Sequence, residues 1–231
     1  MSEGYQLRAL SGGRPSDSEV SDIVALHHAL LPRSPVVALG RYFMESFYYP
    51  TLIADGEIYV GTAYVDGECA GFVAATDDPD GFISAATRRH WFRCFGTVFV
   101  SLLANPLRLR AVKEAYDIQK HVQHVSRAEK TGEILSLGVH GQFRTRGFVK
   151  KRGLRISDDL VDMAVSYLRN RKIETVRAVV DRDNLEAQLF YRARGWTIGS
   201  ADVQGWGVPS VEFRASVESP ESGGSTVVDP T

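Results

Sequence analysis

The tightest constraint on the fold of this chain lies between Glu133 and Trp196. EILSLGVH, residues 133–140, is nearly all apolar or small from Ile134 to Val139, as a strand buried on both faces must be. A basic loop follows. Ile156 to Arg171 then forms an amphipathic helix, with Ile156, Leu160, Met163, Ala164, Tyr167 and Leu168 on one face. Thr175 to Val180 is the next strand. Asn184 to Arg194 is a short helix stopped by Gly195, a residue that tolerates the left-handed conformation. Strand, basic loop, helix, strand and short helix is the order that any fold must accommodate.

The rest of the chain surrounds that order. Tyr5 to Leu10 reads as a short edge strand. Asp17 or Ser18 can cap a first helix, along which Val20, Ile23, Val24, His27, Leu30 and Leu31 recur at helical spacing. His27 falls on the apolar face and reads as a buried structural histidine. Val37 to Tyr48 reads as a second helix. Ile58–Tyr64 and Cys69–Ala75 flank Val65-Asp66-Gly67-Glu68, a hairpin signal because Asp-Gly accepts positive φ. Residues of about 82–125 read as a helical insertion between the third and fourth strands. Within it, Trp91 to Ala104 is too short for a membrane span, which needs about 20 apolar residues. A buried helix is the first reading there, and a helix lying on a membrane or over a cleft is the other. Thr197–Ala201 and Val211–Ser216 pair at the end of the sheet. Residues 1–218 make one domain, and Ser219 to Thr231, rich in Ser, Gly and Pro, reads as a disordered tail.

Between His140 and Ser157 no carboxylate offsets Arg144, Arg146, Lys150, Lys151, Arg152 and Arg155. The loop opens a helix, whose first amides and dipole favour an anion. A phosphate or pyrophosphate ligand follows. The net charge of −1 makes this attraction local and argues against a nucleic-acid partner. Cys69 and Cys94 fit neither a metal spacing nor a disulfide framework, and the N-terminus lacks the apolar core of a signal peptide. A cytoplasmic protein is the expectation.

LSLGV (135–139), the Arg-Gly loop and DRDNLEAQLFYRARGW (181–196) together resemble the GNAT, or Gcn5-related, acyltransferase superfamily. The resemblance implies an α/β fold with a mixed sheet (α+β), in which the fourth strand splays from the fifth. It implies acetyl-CoA as cofactor, bound by backbone near Leu137, Gly138 and Val139. It also implies an Arg/Gln-x-x-Gly-x-Gly/Ala loop around the pyrophosphate. Two registers compete for that loop. One starts at Arg144 and has Val149 in its third small position. The other starts at Arg152 and has Arg155 in place of the central Gly. The second is preferred, with Gly141 to Lys151 as a lengthened loop. It assigns Arg152, Gly153, Arg155, Ile156 and Ser157 to the cofactor, with Ser157 a usable helix cap.

Asn184, Ala187 and Tyr191 match the family's Asn-x-x-Ala-x-x-x-Tyr. The resemblance makes Asn184 and Ala187 pantetheine contacts and Tyr191 the general acid for the departing thiolate, a suitable pairing since both titrate in a similar range. The amine acceptor then attacks directly, with the Val139 amide holding the oxyanion and no metal taking part. Leu135 and Ser136 stand where many relatives carry a carboxylate, which leaves the general base open. Leu31-Pro32-Arg33-Ser34, Leu39-Gly40 and Phe43 are similar to a bacterial subgroup associated with surface-sugar modification. The implied activity is acetylation of a primary amine on a small molecule, an amino sugar in that subgroup's manner, in a pocket shaped by the insertion. The alternative is a non-catalytic CoA-binding or regulatory module on the same fold.

Overall fold

The computed structural model describes residues 4–105, 130–205 and 208–217. The insertion beyond Asn105 and the tail from Ser219 lie outside them. Among the described residues, seven strands form one sheet in the order β1-β2-β3-β4-β5-β7-β6. They are β1 (Tyr5–Leu10), β2 (Tyr59–Val65), β3 (Glu68–Thr76), β4 (Thr131–Val139), β5 (Thr175–Asp181), β6 (Thr197–Gly205) and β7 (Val208–Ser216). Every pairing is antiparallel except β4 with β5. The β2–β3 hairpin turns at Asp66 and Gly67, whose φ values are 52° and 87°, as the Asp-Gly pair predicts.

Helix α1 (Asp17–Leu30) packs on one face of the sheet. Its cap is Ser16 rather than Asp17 or Ser18. The Ser16 hydroxyl accepts from the Glu19 amide, while the Glu19 carboxylate accepts from the Ser16 amide, a reciprocal box that satisfies two free donors at once. The second helix departs from its predicted bounds. Helix α2 (Pro35–Leu39) ends at Gly40, with φ 98°, and a longer helix α3 occupies residues 41–54. Pro50 lies inside α3. It has no amide to donate, and the backbone widens to a π turn over Met44–Tyr48, where the Tyr49 amide reaches the Met44 carbonyl. This face of the core holds Ile23, Val24, Met44, Phe47, Leu52, Ile53 and Phe72.

Helices α4 (Phe82–Arg89) and α5 (Trp91–Ala104) open the insertion. The buried-helix reading of Trp91–Ala104 is corrected. The helix lies on the surface with Phe92, Phe95, Phe99 and Leu103 exposed. No helix among the described residues is long and apolar enough to cross a membrane.

Gly141 to Lys151 is not a loop. Gly141–Arg144 makes a 3-10 turn and Arg146–Arg152 makes helix α6. Thr145 caps α6 by accepting from the Phe148 amide at 3.2 Å, and Gly153 ends it in the left-handed region at φ 69°. Gly153 therefore lies beyond a helix, not within one. Phe143 and Phe148, rings 5.3 Å apart, tie the turn to α6. Helix α7 (Ile156–Asn170) covers the other face of the sheet through Ile156, Leu160, Val161, Ala164 and Leu168. Helix α8 (Leu185–Ala193) follows β5.

Candidate active site

The site begins where the sheet parts. Strands β4 and β5 pair only from Thr131↔Thr175 to Ile134↔Ala178, yet β4 runs on to Val139 and β5 to Asp181. Leu135 is an extra residue in the β3–β4 ladder, between the pairs Ala74↔Ser136 and Ala75↔Ile134. Such a bulge bends its strand and increases the local twist, which here carries the upper half of β4 away from β5. Beyond the bulge β4 stays paired to β3, with the His140 amide donating to the Ala70 carbonyl at 2.8 Å. Strand alternation then turns the Val139 and Leu137 amides to the side β5 has left. The result is a cleft of about 800 Å³ lined by Ile134 to Val139 and Ala178 to Asp181.

The α7 N-terminus meets this cleft at Ser157. Arg155, not Ser157, is the N-cap residue, and its side chain makes no cap bond. The Ile156 and Ser157 amides have no acceptor among the described residues, as the first amides of a helix lack partners within it. The first-turn carboxylates are engaged elsewhere. Asp158 accepts from Arg194 at 2.5 Å and Asp159 from the Tyr5 hydroxyl at 2.7 Å. An anion at the helix end thus meets bare donors and the positive end of the dipole.

Each assigned residue has a definite place. Leu137, Gly138, Val139, Ser157, Asn184, Ala187 and Tyr191 all line the one cleft. Ile156 is buried in the core and offers only its backbone. Arg152, Gly153 and Arg155 do not line it. The Arg152 guanidinium is paired with Asp66 at the β2–β3 turn. Arg144, from the other register, does line the cleft and pairs with Glu186 of α8. The loop thus divides between the two registers, with the helix start from the second and the cleft-facing cation from the first. Sequence spacing hides this because α6 folds back the residues between them.

The far wall comes from β5 and α8. The Asn184 side chain caps α8, accepting from the Ala187 amide at 3.1 Å. Tyr191 is buried, with its ring 4.8 Å from Trp196 and 5.8 Å from Phe213. Its hydroxyl has no hydrogen-bond partner among the described residues. Burial raises its pKa well above the ordinary tyrosine value, with Arg194 opposing weakly, so the phenol stays protonated at neutral pH.

The other end of the cleft is formed by Leu30 to Val36 and Tyr48. Arg33 reaches Asp181 across the opening at 3.5 Å. Arg33, Ser34 and Tyr48 carry no site role in the sequence reading, because only the packing of α1, α2 and α3 brings them to β4. None of the described insertion residues 82–105 lines the cleft, so this part does not shape the pocket as expected. Two titratable groups stand outside it. His27 is buried, with Nδ1 2.5 Å from the Tyr49 hydroxyl, and burial, then His28, pushes its pKa down to about 4. Glu133 is held by Arg177 at 2.7 Å, yet burial leaves its pKa above the usual carboxylate range.

Solved structures share this architecture. An acetyltransferase of the GNAT family from Desulfovibrio desulfuricans superposes with a TM-score of 0.56 at 10% identity, over 93% of this chain and 99% of that one. NAA60 of Arabidopsis thaliana, crystallised with acetyl-CoA, gives 0.51 at 16% identity, over 92% and 98%. The curated proteins contain no match. The fold is that of the acetyl-CoA-dependent acyltransferases. The family model described as "Acetyltransferase (GNAT) family" matches residues 24–196, most of the chain, and the protein belongs to that family. It is an acetyl-CoA-dependent N-acetyltransferase.

The residues present fit acetyl-CoA. The unpaired β4 edge offers amides and carbonyls to a pantetheine arm, and the bare α7 amides with Arg144 offer donors to a pyrophosphate.

Proposed function

We propose that the protein acetylates the primary amine of a polar small molecule, with an amino sugar as the acceptor class. The observation that carries this reading is the polar lining beside the β4 edge. Asp181 and Asp183 attract an ammonium group, Ser34 and Tyr48 offer hydroxyls to a polyhydroxylated ring, and Arg33 suits an anionic substituent such as a phosphate. The bound thioester supplies the acyl group. The chain's own part is to hold and orient it. In this reading the Leu137 and Val139 amides fix the arm along β4. Ser157, Ile156 and Arg144 hold the phosphates, and Asn184 and Ala187 close the opposite wall. Tyr191 Oη then delivers a proton to the leaving sulfur.

The test is steady-state acetylation of a panel of amino sugars, sugar phosphates, polyamines and peptide N-termini, by wild type and Tyr191→Phe. Turnover on amino sugars is expected, with kcat in Tyr191→Phe reduced about 10²–10⁴-fold, the usual worth of a general acid. The affinity for acetyl-CoA should change little. Because the Tyr191 pKa is raised, the alkaline fall of kcat should lie above the ordinary tyrosine range. Preference for peptide N-termini would overturn the acceptor assignment. Tight acetyl-CoA binding with no turnover on any amine would favour a regulatory module on this fold.

A further inference from the structure

Helix α5 is amphipathic in the wrong direction for a helix covered by water. Its inner face, packed on α3, carries Cys94, Thr97, Val98 and Ser101, with Thr97 and Ser101 buried. Thr97 satisfies its hydroxyl on the helix itself, at the Arg93 and Cys94 carbonyls. The outer face carries Phe92, Phe95, Phe99 and Leu103, each more than 60% exposed, at helical spacings of three and four. Trp91 stacks on Phe92 at the start of the stripe. Scattered apolar residues on a surface need no explanation, but a contiguous aromatic stripe marks an interaction surface.

The charges select the partner. From Phe82 to Asn105 the sequence has no Asp or Glu. Arg88 and Arg93 are exposed and have no carboxylate within ion-pair distance among the described residues, whereas Arg89 is taken by Asp55 and Glu57. A second copy meeting this face about a two-fold axis would bring no carboxylate of α4 or α5 to pair with these arginines. An aromatic stripe bordered by free arginines matches an anionic lipid surface. There the rings enter the headgroup region and the guanidinium groups meet phosphate.

We infer that α5 docks the enzyme on membranes containing anionic lipid, lying in the interface with Phe92, Phe95, Phe99 and Leu103 inserted. This stands independently of the acceptor assigned above, since the cleft is built from other elements.

The experiment is flotation of the full chain with vesicles of phosphatidylcholine alone and of phosphatidylcholine with phosphatidylglycerol. Sedimentation velocity without lipid and Trp emission spectra accompany it. Flotation with the anionic vesicles only is expected, with a blue shift that Trp91→Tyr removes. Arg88→Glu with Arg93→Glu should weaken binding about tenfold or more. Phe95→Ser with Phe99→Ser should reduce it to the level of neutral vesicles. Far-ultraviolet circular dichroism and acetyl-CoA binding check that each variant folds, and the arginine pair carries the test if the phenylalanine pair does not. The inference is overturned if wild type stays unbound or binds both vesicle types equally. It is equally overturned by a lipid-free dimer that Phe95→Ser with Phe99→Ser dissolves, or by Trp91 shielded from aqueous quenchers without lipid.

Discussion

Arg144 faces the cleft beside Glu186, while Arg152 is held by Asp66 at the hairpin turn. Arg144→Ala should therefore weaken acetyl-CoA binding about tenfold or more, the worth of a charge-assisted hydrogen bond. Arg152→Ala should leave it within about twofold, since an exposed ion pair contributes little. Calorimetry on both variants checks this. The spacing of arginines alone cannot separate the two, because pointing is decided by α6 and its cap. His27 makes a second residue-scale case. Its pKa falls from 6.5 unfolded to about 4 folded. The native state then binds fewer protons than the unfolded chain, so stability is present above 6.5 and is lost as pH falls towards 4. The loss should be about 1–2 kcal/mol by about pH 5. Urea unfolding midpoints should fall more steeply with acid in wild type than in His27→Gln. That His27 is buried was legible from its place on the apolar face of α1. Its Tyr49 partner was not, because the pairing depends on how α3 crosses α1.

At the scale of elements, most strands and helices could be read from hydrophobic period and turn residues. Asp66-Gly67 placed the hairpin, Gly195 stopped α8 and the Ile156–Leu168 stripe located α7. The misreadings fell on Val37–Tyr48, on the burial of Trp91–Ala104 and on residues 141–153, whose basic composition looks like a loop. Two glycines there now have opposite expectations. Gly153 sits at φ 69°, where a side chain is strained, and Gly153→Ala should destabilise by about 1 kcal/mol. Gly147 lies inside α6 with open space where a Cβ would stand. Gly147→Ala should stabilise by up to about 1 kcal/mol from helix propensity. Thermal or urea unfolding of both variants decides the pair, and equal signs would contradict this account of α6.

At the scale of the whole molecule, two half-sheets meet along a short parallel ladder, and the active cleft is the opening above it. A buried ion network bridges the join. Arg177 on β5 holds Glu133 on β4 at 2.7 Å and approaches Glu212 on β7 at 4.0 Å, while Arg214 binds Glu212 at 2.6 Å. Removing the central cation leaves Glu133 buried without compensation. Arg177→Met should destabilise by about 3–5 kcal/mol, and adding Glu133→Gln should recover part of that loss. Urea denaturation of the single and double variants measures both.

The sequence by itself determined most of the elements, their order and the family, because period-two and period-3.6 patterns, Asp-Gly and Gly stops, and the Asn184–Ala187–Tyr191 spacing act over a few residues. Only the tertiary structure decided the parting of β4 from β5, the turning of Arg144 and not Arg152 to the cleft, and the arrival of Arg33 and Tyr48 there. It also turned the aromatic stripe of α5 outward rather than into the core. The physical reason is common to all of these. Each depends on which surface of one element packs against another distant in the chain, and local propensity does not encode that choice.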